Sequence, residues 1–128
     1  MPGLTAMVGI GAGLGMGWLL WTGPDSASPG AEPDIAAADA AGACQAYRRV
    51  PAFATLFDHS EGERGSHLER ATAAAYLGQS AAGMDDRFKD LNDAFKVAHR
   101  HLQTLDIKDA EAREAQENVL ARCAELGY

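Results

Sequence analysis

The chain has 128 residues, 47% of them apolar, and carries a formal net charge of −7. That length holds one domain with an appendage rather than two independent cores. The acidic balance argues against a nucleic-acid partner, because phosphates call for clustered Lys and Arg. Alanine supplies 26 of the 60 apolar residues, while Val, Ile and Thr together number 12. Alanine favours helix and strands favour β-branched side chains, so the composition predicts an all-α fold rather than a sandwich, barrel or doubly wound sheet.

Residues 1–23 contain no charged side chain and hold seven of the 14 glycines. The 18 residues Leu4–Trp21 are apolar apart from glycine and one threonine. As a helix they would extend roughly 27 Å, close to the ~30 Å of a bilayer core. This segment therefore reads as a transmembrane anchor or a signal helix. The alternating Gly9, Gly11, Gly13, Gly15 and Gly17 superficially match a dinucleotide loop, but no strand precedes them and no βαβ unit surrounds them. A cleavable signal wants basic residues at its start and small residues before the cut, and the first basic side chain is Arg48. An uncleaved anchor is the favoured expectation, with secretion following if the segment is cut. A start site further upstream would supply the missing basic residues. The acidic flank of Asp25, Glu32, Asp34 and Asp39 places the N-terminus in the cytoplasm and residues 34–128 outside. Trp21-Thr22-Gly23 matches the Trp-x-Gly signature of small secreted helical hairpins. A tryptophan at a membrane boundary explains it better.

Residues 24–33 contain three prolines and read as a linker. From Asp34 the pattern is helical. Asp34 can cap a helix running through Val50, with Ala37, Ala40, Cys44 and Tyr47 on one face. Pro51 should kink it or open a short second helix, with Phe53, Leu56 and Phe57 inward. His59–Gly65 reads as a loop. Ser66 and Glu69 form a capping box that starts a helix ending near Gly83. Phe88, Leu91, Phe95, Ala98, Leu102 and Leu105 then recur at helical spacing, opposite Lys89, Asp93, Lys96 and Arg100. Asp109 caps the last helix, which places Ala112, Ala115, Val119, Cys123 and Leu126 on one side. Short connections predict an up-and-down four-helix bundle.

Outside residues 1–21 only 21 large apolar residues are available, a thin core for 107 positions. Small domains with thin cores commonly need a covalent staple. Cys44 and Cys123 are the only cysteines. They fall on inward faces of the first and last helices, which an antiparallel bundle brings together. An exported chain also permits oxidation. A Cys44–Cys123 disulfide is the expectation.

Catalytic, cofactor and metal sites are not evident. His99 and His101 are two apart on a helix and face opposite sides. His59 and His67 flank the glycine loop without a carboxylate or thiol pattern beside them, so solvent-facing histidines are the simpler reading. Asp85, Asp86, Asp90 and Asp93 lack the central glycine of a calcium loop and suit the start and polar face of a helix. No Cys-x-x-Cys, Gly-x-Ser-x-Gly, His-Glu-x-x-His or P-loop occurs.

The layout has a parallel. The apolar start, the proline-rich linker, the stretch from Ala43 through Cys44 and Tyr47 to Pro51, the alanine-rich helices and the terminal Arg122-Cys123-Ala124 resemble small exported helical proteins of actinobacteria, mostly of unknown function. The resemblance covers most of residues 43–124. It implies a cell-envelope setting and no activity. The expected function is a membrane-tethered, extracytoplasmic interaction module or accessory subunit without catalysis, held by residues 4–21 and meeting a protein partner at the membrane surface. The alternative is a small-ligand binder with a pocket lined by Phe53, Phe57, Phe88 and Phe95.

Overall fold

The computed structural model describes residues 34–128, and the expected anchor and linker lie outside them. Four α-helices follow one another: α1 (Ile35–Tyr47), α2 (Glu61–Met84), α3 (Lys89–Gln103) and α4 (Ala110–Glu125). Two 3-10 turns, Phe53–Asp58 and Asp86–Phe88, interrupt the first two connections. No strand occurs among the described residues. None of the helices described is long and apolar enough to cross a membrane.

The helix starts follow local chemistry. The Asp34 carboxylate accepts the Ala37 N–H at 2.9 Å, and Asp109 accepts that of Ala112 at 2.8 Å, as their sequence positions predict. Helix α1 stops at Tyr47 rather than Val50. Pro51 disfavours helical backbone in the residue before it, so the chain leaves the helix early.

Helix α2 departs further from expectation. Ser60 is its N-cap, accepting the Glu63 N–H at 3.3 Å, so His59–Gly65 is not a loop and Ser66 lies inside the helix. The chain offers two Ser-x-x-Glu boxes, Ser60–Glu63 and Ser66–Glu69. The earlier one also brings Glu61 and Glu63 to the positive end of the helix. Gly62 and Gly65 weaken that first stretch without ending it.

Consecutive helices pack on one another. Ser80 Oγ on α2 donates to Asp39 on α1 at 2.8 Å, and Arg87 just past α2 donates to Asp34 just before α1 at 2.8 Å, so rising numbers along and beyond α2 meet falling numbers along α1. That is an antiparallel pairing. The buried residues of these two helices are mostly small: Ala36, Ala40 and Ala43 with Cys44 and Tyr47 on α1, and Ala71, Ala74, Gly78 and Ala81 on α2. Small side chains let helix axes approach closely, so backbone lies where large apolar groups are scarce.

The larger groups gather where α1, α3 and α4 converge. Phe53, Phe88, Phe95, Leu56, Leu91 and Val119 are fully buried. Tyr47 meets Phe95 edge-on at 5.1 Å and Phe53 at 6.4 Å. Cys44 and Cys123 are bonded and fully buried, with Cα atoms 5.7 Å apart. On the same side, Gln116 Oε1 accepts the Phe53 N–H and its Nε2 donates to the Pro51 carbonyl, both at 2.9 Å. Residues 44, 51 and 53 thus descend along α4 past 123 and 116, antiparallel again.

Two residues expected inside are outside. Phe57 and Leu105 are 44% and 59% exposed. The 3-10 turn presents Phe53 and Leu56 inward, three residues apart, and this carries Phe57 off the buried side. Helix α3 ends at Gln103, so Leu105 no longer follows its apolar stripe.

Candidate functional site

Phe57 and Leu105 both line one apolar groove of about 230 Å³. Leu56 and Phe57 come from the first 3-10 turn, Arg64 and Leu68 from the first turns of α2. The remaining wall is Leu102 at the end of α3, with Leu105 and Ile107 in the loop that follows. Leu56, Leu102 and Ile107 are buried and form the floor. The surface inside is apolar throughout. Arg64 contributes its aliphatic stem, and its guanidinium carbon sits 5.2 Å from the centre of the Phe57 ring.

The Leu105 wall has an unusual backbone. Leu105 has φ +57° and is the only non-glycine residue with positive φ among those described. Its N–H donates to the Leu102 carbonyl, and the Asp106 N–H donates to the His101 carbonyl. These bonds make a Schellman close to α3 with leucine at the left-handed position. Helix α4 ends in the same way, with Tyr128 N–H on the Cys123 carbonyl, and there the left-handed residue is Gly127. Glycine takes that conformation freely, whereas a Cβ makes it costly.

The histidines have local roles. His59 and His67 meet edge-on at 5.0 Å near the start of α2. His67 Nδ1 lies 3.1 Å from Arg70, which can only donate, so that nitrogen is an acceptor. His59 lies 3.6 Å from Glu63. His101, Asp106 and Asp109 bring ligand atoms within 4.8 Å of one another. Two of these groups already serve the fold: His101 Nδ1 is 3.0 Å from the Asp106 carbonyl, and Asp109 caps α4. The cluster is mostly exposed. His99 instead lines a mixed crevice of about 100 Å³ between α2 and α3 with Asn92 and Lys96, and its Nδ1 is buried without a hydrogen-bond partner among the described residues.

The pocket expected among four phenylalanines does not form. Phe53, Phe88 and Phe95 are each 1% exposed and belong to the core, and only Phe57 lines a groove. Asp85, Asp86, Asp90 and Asp93 likewise converge on no cation site: Asp85 accepts the Arg87 N–H, and Asp86 pairs with Lys89 at 3.2 Å.

Sequence reading missed Arg64, Leu68 and Ile107 as groove residues. Reading His59–Gly65 as a loop concealed Arg64. Ile107 carried a signal, as the one aliphatic residue between Asp106 and Asp109, but nothing local says what it packs against. No family model, curated protein or solved structure matches the chain.

Proposed function

We propose that residues 34–128 are a non-catalytic interaction module, tethered by residues 4–21 and displayed outside the cytoplasm, that engages a protein partner through the groove between Phe57 and Leu105. The groove carries this reading. It brings two of the exposed large apolar side chains, Phe57 and Leu105, together around one apolar concavity, where the other exposed ones do not gather. Its volume, about 230 Å³, lies below the ~300–1,000 Å³ of small-molecule pockets. That size suits the anchoring side chains of a partner, which carry most of an interface's energy. The buried disulfide supports an oxidising compartment.

Two measurements test the proposal. A reporter active only outside the cytoplasm, fused after Tyr128, should be active, and activity restricted to a cytoplasmic reporter would reverse the topology. A photo-crosslinking residue at Thr104, beside the groove, should trap a discrete adduct in intact cells that the same residue at Ala121 does not. Equal adducts from both positions, or none from Thr104, would rule the groove out as the contact.

A further inference from the structure

The groove's rim carries a clue to the partner's chemistry. Arg64 is the only charged residue lining it and makes no ion pair with any described residue. Its guanidinium is held over Phe57, one of the two exposed apolar walls. In a chain with 18 acidic and 11 basic residues, a cation beside an exposed apolar patch is chemically specific. Guanidinium donates through a planar fork that matches a carboxylate.

Leu105, also in the lining, adds an independent observation. Leu105 holds a left-handed backbone that glycine would take more easily, and its side chain is 59% exposed. The left-handed turn closes α3, but that closure favours glycine and does not call for an exposed leucine side chain. Backbone strain of this kind persists where the strained residue has a use.

Resting on the interaction-module reading, we infer that the groove seats a partner polypeptide through an aliphatic or aromatic side chain between Phe57 and Leu105, with a neighbouring Asp or Glu of the partner paired to Arg64. The apolar anchor supplies affinity by leaving water. The carboxylate selects among apolar segments and fixes their direction, because an unpaired or like charge at the rim is disfavoured.

A displayed library of random linear peptides, selected on the oxidised full-length chain in lipid nanodiscs, tests this. The enriched peptides should combine a large apolar residue with Asp or Glu within one helical turn. They should bind Arg64→Glu at least tenfold more weakly. Selection on Arg64→Glu should replace the acidic residue by Lys or Arg. Leu105→Gly removes the wall and relieves the backbone, so it should abolish binding while the thermal midpoint holds or rises. Apolar peptides without acidic preference, still lost with Leu105→Gly, would overturn the Arg64 pairing and leave the groove as the contact. Absence of enrichment, or binders indifferent to both variants, would overturn the pairing and the interaction-module reading together. Self-association that Leu105→Gly abolishes would assign the groove to a second copy. Saturable decanoate binding without peptide enrichment would assign it to an amphiphile. Either result overturns the inference.

Discussion

The ring of Phe95 fills the space that a side chain on Gly78 would need: a Cβ built there would lie 2.7 Å from Phe95 Cδ2. The glycine is not present for backbone freedom, since it lies in the middle of α2. It lets a helix whose buried residues are small touch the largest buried ring of α3. Gly78→Ala should therefore destabilise the domain by up to about 2 kcal/mol, because overpacking costs ~1–3 kcal/mol against a helix-propensity gain near ~1. Gly65→Ala, where nothing lies within 4 Å, should stabilise by about 0.5–1 kcal/mol. Denaturant unfolding of both variants checks the opposed signs. Phe95→Ala should cost about 3–5 kcal/mol.

The disulfide closes a long loop, with a sequence separation of 79. In the chain-entropy account such a loop contributes about 4–5 kcal/mol. Reduction should lower the unfolding midpoint substantially, and the oxidised protein should show no free thiol when denatured. Two titratable thiols in denatured, unreduced protein would contradict the pairing.

Gln116 is the one buried amide or charged side chain of the described core, and it ties the backbone at Pro51 and Phe53 to α4. Gln116→Leu keeps similar bulk but strands the Phe53 N–H and the Pro51 carbonyl. Each stranded buried group costs ~1–3 kcal/mol, so a loss of about 2–4 kcal/mol is expected by chemical denaturation. Glu117→Leu, one residue on and exposed, should change stability by less than about 0.5 kcal/mol.

Tyr47 buries its hydroxyl without a hydrogen-bond partner among the described residues. Burial pushes its ionisation above the ordinary 10.0. The neutral form is favoured in the folded state, so this contribution is complete below pH 10 and is lost as pH rises toward the folded value. Tyr47→Phe should match or exceed the parent in stability at pH 7, because it removes an unsatisfied polar group. It should also shift alkaline unfolding to higher pH. A variant clearly weaker at neutral pH would mean that the hydroxyl has a partner.

At the other end of the pH scale, Asp34 is held below its ordinary 3.8, first by the Ala37 N–H and then by Arg87. Its contribution is present above the unfolded value and fades as pH falls through the lower folded one. Arg87→Ala should raise the Asp34 value in an NMR titration while leaving the Ala37 hydrogen bond in place.

What the sequence determined by itself was local or binary. Alanine content and apolar spacing imply helices, Asp34 and Asp109 open two of them, and two cysteines allow a single intramolecular pairing. Side-chain capping and helical periodicity act within four residues, so they are visible without the fold. Tertiary structure decided between alternatives that are locally equivalent. Two Ser-x-x-Glu boxes compete for the start of α2, and the one at Ser60 brings Arg64 and Leu68 to the groove. The apolar stripe of α3 reads through Leu105, but the helix stops at Gln103 and turns that leucine outward. Gln116 and Gly78 look ordinary in their own segments. Their importance comes from Phe53, 63 residues from Gln116, and from Phe95 on the next helix. Contacts at such separations depend on how whole helices pack, and no short stretch of sequence encodes that packing.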